Sequence, residues 1–161
     1  MSGATREHNV VAVNLTILLG GQLRGRPCET YAGDMRVMVS ETGLYTYPDL
    51  VVVCGEPRFE DDVLDTLLNP TLIIEVLSPT TEAYDRGKKS GHYRRLASLR
   101  EYLLLAQDRC HLERYVRQPN QQWLLSEAAD LDDTVHLAAI GCDLKLAEVY
   151  DRVKFGDGAG E

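Results

Sequence analysis

The run Leu72-Ile73-Ile74-Glu75-Val76-Leu77 constrains this chain more than any other segment. Its residues are apolar and largely β-branched, and Pro79 ends it, as expected of a strand buried on both faces. Side chains alternate along a strand, so Glu75 shares a face with Ile73 and Leu77. A carboxylate in such a place needs a cation, a lysine or arginine, or a set of hydrogen-bond donors, because burial alone penalises its charge. An internal salt bridge meets that need as well as a metal does, and the run by itself leaves both open.

A second buried run, Leu50 to Val53, follows Tyr47-Pro48-Asp49. Asp49 stands where the strand begins, a position suited to facing a cleft and equally to a turn. Lys89 lies in the helical segment after Leu77. Asp85 and Lys89 are spaced i,i+4, as are Glu82 and Arg86, which also suits surface ion pairs. Tyr93, one turn further on, shares the Lys89 face. Two carboxylates on adjacent strands can hold a divalent cation, and a nearby lysine can stabilise charge on an attacked phosphate. Asp49, Glu75 and Lys89 therefore outline a metal-dependent phosphodiesterase. His8, beside Glu7 near the start of the first helix, reads first as a surface or capping residue; both are kept as accessory candidates. His92, His111 and His136 show no metal-ligand spacing. No glycine-rich phosphate loop or nucleophilic-serine motif is present.

The remaining elements are set by periodicity. Thr5 to Leu23 reads as a helix, with Val10, Val13, Asn14, Ile17 and Leu18 at helical spacing and Gly20-Gly21 near its end. Met35 to Val39 suits a strand. The acidic stretch Glu56 to Asn69 is irregular, with a short helical turn expected at Val63 to Leu68. A helix starts between Thr80 and Arg86 and ends near Leu96. Glu101 to Ala106 is another apolar strand, which makes the helix before it a crossover on one face of a mixed sheet. His111 to Val116 pairs with Trp123 to Leu125 across Pro119-Asn120. Thr134 to Leu137 adds a strand, and Leu146 to Val153 closes the chain as a short helix. The expectation is one α/β (α+β) domain over residues 1–161, with a central mixed sheet of five or more strands.

Net charge is −8, which argues against a general nucleic-acid coating protein but not against an enzyme with a local basic patch. Arg86, Lys88, Lys89, Arg94, Arg95 and Arg100 do cluster, as a patch or a solvated helix face. Cys28, Cys54, Cys110 and Cys142 form no CxxC pair, and reduced, partly buried thiols are expected. No apolar run reaches the roughly 18 residues of a membrane span. Without the basic start and cleavage site of a signal peptide, the chain reads as cytoplasmic.

From Tyr47 onward the chain resembles the Uma-type family of putative restriction endonucleases, within the PD-(D/E)XK nuclease superfamily. The resemblance rests on Tyr47 to Cys54, Asn69 to Lys89 and Tyr93 to Leu104, with Gly25 to Cys28 and Leu131 to Thr134 also similar. It implies a restriction-endonuclease-like core in which a central mixed β-sheet is flanked by helices. By motif position Asp49 is the first acid and Glu75 the second. The superfamily's usual lysine position, two residues after the second acid, is Leu77 here. The resemblance gives that role to Lys89, four residues before Tyr93. It further implies Mg²⁺ or Mn²⁺ held by Asp49 and Glu75, with the Val76 carbonyl as an extra oxygen ligand. Asp85 and Tyr93 would support these groups. DNA is the implied substrate and a homodimer a plausible assembly, with no membrane partner. Met1 to Asn9 resembles a segment usually internal in that family, so the chain is expected to lack an N-terminal hairpin. The alternative is a catalytically inactive DNA-binding or regulatory module on the same fold.

Overall fold

A computed structural model describes residues 4–155; Met1, Ser2 and Gly3, on which part of the expectation about the N-terminal hairpin falls, lie outside them. Helix α1 (Arg6–Leu23) begins where the Thr5 side chain accepts the His8 backbone N–H at 3.1 Å, an N-cap that satisfies one of the free amides of the first turn. Val11, Leu15, Leu19 and Leu23 are buried at intervals of one turn. Of the expected stripe, Leu18 packs against the same core and Val10 and Asn14 are half-buried, but Val13 and Ile17 are exposed, because the four-residue row that meets the sheet is displaced from the most obvious apolar spacing.

Six strands form the main sheet: β1 (Cys28–Ala32), β4 (Leu50–Cys54), β6 (Leu72–Val76), β7 (Glu101–Leu105), β8 (Leu112–Arg117) and β9 (Trp123–Ala128), in the order β1-β4-β6-β7-β8-β9. Within it only β6 and β7 run parallel, as expected of two strands joined by a helical crossover. β2 (Arg36–Val39), β3 (Leu44–Thr46) and β5 (Thr66–Leu67) make a smaller sheet, in the order β3-β2-β5. β10 (Thr134–Leu137) and β11 (Cys142–Lys145) pair as a hairpin, followed by α4 (Leu146–Val149). The helical turn expected at Val63 to Leu68 is instead the short strand β5: Thr66 and Leu67 are fully buried against β2, and tertiary pairing overrides the local pattern.

Alternation divides the strand residues between two cores. Leu50, Val52, Leu72, Ile74, Val76, Leu103 and Leu105 pack with α1, α4 and the β10–β11 hairpin. Val51, Val53, Ile73, Leu77, Tyr102 and Leu104 pack on the other face with Val37, Val39, Leu67, Tyr93, Leu96 and Leu99. Both faces of β4 and β6 are therefore dry, as the apolar runs predicted.

The expectation of reduced thiols fails for one pair. Cys28 and Cys54 face each other across β1 and β4 and are joined by a disulfide, whereas Cys110 and Cys142 are free. No helix of the described residues is long and apolar enough to cross a membrane.

Candidate active site

The crossover between β6 and β7 is one irregular helix built from α2 (Glu82–Tyr84), a π-helical segment (Asp85–Lys89) and α3 (Ser90–Tyr93). A π-turn inserted in a helix rotates the next turn about the axis and recurs at functional sites. Here it carries Asp85 and Lys89, with Tyr93 after it, over the ends of β4 and β6 where Asp49 and Glu75 stand.

Glu75 lies on the face of Ile73 and Leu77, as alternation requires, and is 3% exposed. Its Oε2 lies 2.6 Å from Lys89 Nζ and accepts the Tyr93 hydroxyl at 2.9 Å. Its Oε1 accepts the Asp49 backbone N–H at 3.3 Å. In return, Asp49 Oδ2 accepts the Val76 backbone N–H at 2.7 Å. Asp85 Oδ1 lies 3.6 Å from Lys89 Nζ, and the Asp85 carbonyl accepts the buried Tyr102 hydroxyl at 3.2 Å.

Five of the expected site residues, Asp49, Glu75, Asp85, Lys89 and Tyr93, thus lie in one connected cluster, and the backbone of Val76 joins it. Glu7 does not join it: its side-chain contact is a partly exposed ion pair with Arg6. His8 does. Far from being a surface residue, it turns inward from α1 and sets Nε2 3.2 Å from Asp49 Oδ1. Thr46 and Tyr102 also join, and the sequence does not single them out. Thr46 Oγ1 lies 3.3 Å from the Tyr93 hydroxyl; nothing local distinguishes it from any other threonine in a short strand. The other histidines pair elsewhere: His92 with Thr42, His111 with Glu127, His136 with Asp143.

Three carboxylates meet one lysine and one histidine, and the electrostatics reflect that excess. Burial pushes the Glu75 carboxyl up to about 7, against the pull of Lys89 and with help from Asp49. Asp85 is also raised, first by burial. The Asp49 carboxylate raises His8 despite partial burial of the ring. Burial works against the charge on Lys89, but Glu75, Asp85 and Asp49 together outweigh it and hold the ammonium above its usual value. All four groups are shifted toward holding a proton more tightly, the response of a buried site with surplus negative charge.

That surplus fits a divalent cation. Among the described residues no three His, Cys, Asp or Glu side chains gather as a ready-made metal cage. Magnesium does not require one, since it is usually held by one or two carboxylates and keeps several waters. Asp49 and Glu75 supply hard oxygens of the right kind. A cavity of about 630 Å³ lies elsewhere: Cys54, Thr71, Glu101 and Arg117 line it at the opposite ends of the strands.

This architecture is a nuclease fold. The chain superposes on the crystal structure of "a putative nuclease belonging to DUF820" from Anabaena variabilis with a TM-score of 0.76, at 14% identity, covering 95% of this chain and 85% of that one. Residues 1–147 match the Uma2 family, "Putative restriction endonuclease", and the chain belongs to that family. An uncharacterized protein of Synechocystis sp. is 39% identical over 127 residues, spanning 79% of this chain and 72% of its own length. A second from the same organism is 32% identical over 155 residues, spanning 96% and 80%.

Proposed function

We propose that this chain is a metal-dependent endonuclease of the PD-(D/E)XK type, hydrolysing DNA phosphodiester bonds with Mg²⁺ or Mn²⁺. The observation that carries the reading is the joining of Asp49, Glu75 and Lys89 at one end of the sheet, with more buried acid than the protein's own cations offset. Asp49 and Glu75 would hold the cation, with the Val76 carbonyl as a further oxygen. When bound, such an ion polarises a phosphate and lowers the pKa of a coordinated water.

The chain's own groups do the rest. Lys89 is held by Glu75 and Asp85, so its ammonium is fixed before substrate arrives, which favours stabilising charge that develops on the attacked phosphate. Tyr93 orients Glu75 through its hydroxyl and lies under the lysine, whose Nζ is 5.8 Å from the ring centroid. Asp85 keeps Lys89 on its helix face.

Cleavage of plasmid and linear DNA, with Mg²⁺, Mn²⁺ or a chelator, tests the reading. Turnover that needs the metal and disappears in Asp49→Ala and Glu75→Ala supports it; cleavage retained in both variants removes it. The second reading, a DNA-binding or regulatory module without turnover, is favoured by one fact: Lys89 already sits 2.6 Å from a Glu75 oxygen. Binding of DNA with no cleavage under any metal would select it. A pairing of two copies fits either reading, and β9 offers an open edge with Leu124 and Leu125 exposed.

A further inference from the structure

We infer that His8 is a positioning residue for Asp49, acting from helix α1 on the carboxylate that the proposed function assigns to metal binding. The inference rests on that assignment.

Asp49 is fixed from two independent elements. From β6, the Val76 backbone N–H donates to Oδ2 at 2.7 Å. From α1, His8 Nε2 stands 3.2 Å from Oδ1. The first contact alone leaves the carboxylate free to swing about a single hydrogen bond. The second fixes its plane.

The placement of His8 is built rather than incidental. The Thr5 side chain accepts the His8 backbone N–H at 3.1 Å and donates to Gln107 Oε1 at 2.6 Å, just beyond the end of β7. Gln107 is buried. The first turn of α1 is thereby tied to the same end of the sheet that carries Asp49 and Glu75. The other imidazole nitrogen, Nδ1, is buried and pairs with no protein group among the described residues. Among the described residues the side-chain partner of the ring is therefore Asp49. A group that holds a metal-ligating side chain in place is typically worth about 10–100-fold in metal affinity.

The test is calorimetric titration of Mn²⁺ into the wild-type protein and into His8→Ala, His8→Gln and His8→Leu, with circular dichroism and thermal melting of each metal-free protein. Glutamine places an N–H donor at a reach similar to Nε2; leucine fills the space without one. Expected is a loss of about 10-fold or more in Mn²⁺ affinity for Ala and Leu, and recovery to within about 3-fold for Gln. A purely structural histidine would instead show Gln and Leu alike. If Ala fails to fold, the Gln and Leu pair decides the matter. Unchanged affinity in His8→Leu, while Glu75→Ala loses binding, overturns the role of His8 and leaves the metal site standing. Absence of Mn²⁺ binding in the wild type overturns both.

Discussion

Asp49 and Glu75 are bound to each other through backbone amides: the Asp49 N–H donates to Glu75 Oε1 at 3.3 Å, and the N–H of Val76, the residue after Glu75, donates to Asp49 Oδ2 at 2.7 Å. The two carboxylates are thus spaced by the β4–β6 ladder rather than by flexible side chains. Neither can be removed without freeing an amide next to the other. Asp49→Ala should cost about 1–3 kcal/mol by leaving the Val76 N–H without its acceptor. Asp49→Asn, which keeps an acceptor oxygen, should cost less. Both should lose metal binding. Urea unfolding and metal titration of the two variants separate these effects; equal stability losses would show that the amide contact contributes nothing.

The surplus of acid makes stability depend on pH in a defined direction. Glu75 has an ordinary carboxylate value of 4.5 and a folded value of about 7, so the folded protein binds a proton that the unfolded chain releases. That contribution is complete below about 4.5 and is lost as pH rises through 7. His8, also raised, has the same sign. Without metal, stability relative to Glu75→Gln should therefore fall from about pH 4.5 to about pH 7 and level off above it, by up to about 1.4 kcal/mol per pH unit where one proton is released. Saturating Mg²⁺ should flatten the slope by taking over the charge. Parallel denaturation series for the wild type and Glu75→Gln check this, and a pH-independent difference between them would contradict it.

Lys89 is the main cation against Glu75, with Nζ 2.6 Å away and its side chain 13% exposed. Lys89→Met removes the charge and strands a buried carboxylate. Breaking such a pair costs about 3–5 kcal/mol, reduced here because Glu75 can take up a proton instead. Lys89→Arg restores the charge with a planar, differently shaped head, so it should recover stability more than turnover. If Lys89 acts on the phosphate, both variants should lose on the order of 10²–10³ in kcat while still binding DNA. Full activity in Lys89→Met would leave the lysine a structural ion-pair partner only.

Much of the fold and site is legible in the sequence, for identifiable reasons. The apolar runs around Val51 and Ile74 read as doubly buried strands because burial on both faces demands nothing else. Glu75 stands out because a carboxylate inside such a run cannot be solvated. Lys89 is a candidate from its place after the Glu75 strand, but the resemblance is what sets it above its neighbours, since its i,i+4 spacing to Asp85 equally suits a surface pair; that pair exists, but buried. The sequence understates His8 because its partner lies on another element, and no local spacing reports a contact between α1 and the start of β4. The disulfide escapes for a related reason. Cys28 and Cys54 meet only because β1 pairs with β4, and β1 carries no apolar run to announce it: its residues are half-buried or exposed.

That disulfide closes a sequence separation of 26 residues and restrains the unfolded chain accordingly, which is worth about 3–4 kcal/mol on the loop-entropy model. It sits at the end of β4 away from Asp49, and the β1–β4 pairing holds four further residue pairs in register besides the bridged one. Reduction, or the double replacement Cys28→Ser/Cys54→Ser, should therefore lower the melting temperature without moving the site. The expected result is a drop in Tm of roughly ten degrees, at about 2–4 °C per kcal/mol for a chain of this size, with Mn²⁺ affinity unchanged within about 2-fold. Melting curves with and without reductant give the first quantity, and titration of the reduced protein gives the second. A reduced protein that keeps its Tm would mean the bridge adds no restraint. One that keeps its Tm but loses metal affinity would mean that β4 transmits the state of Cys54 to Asp49 along its length.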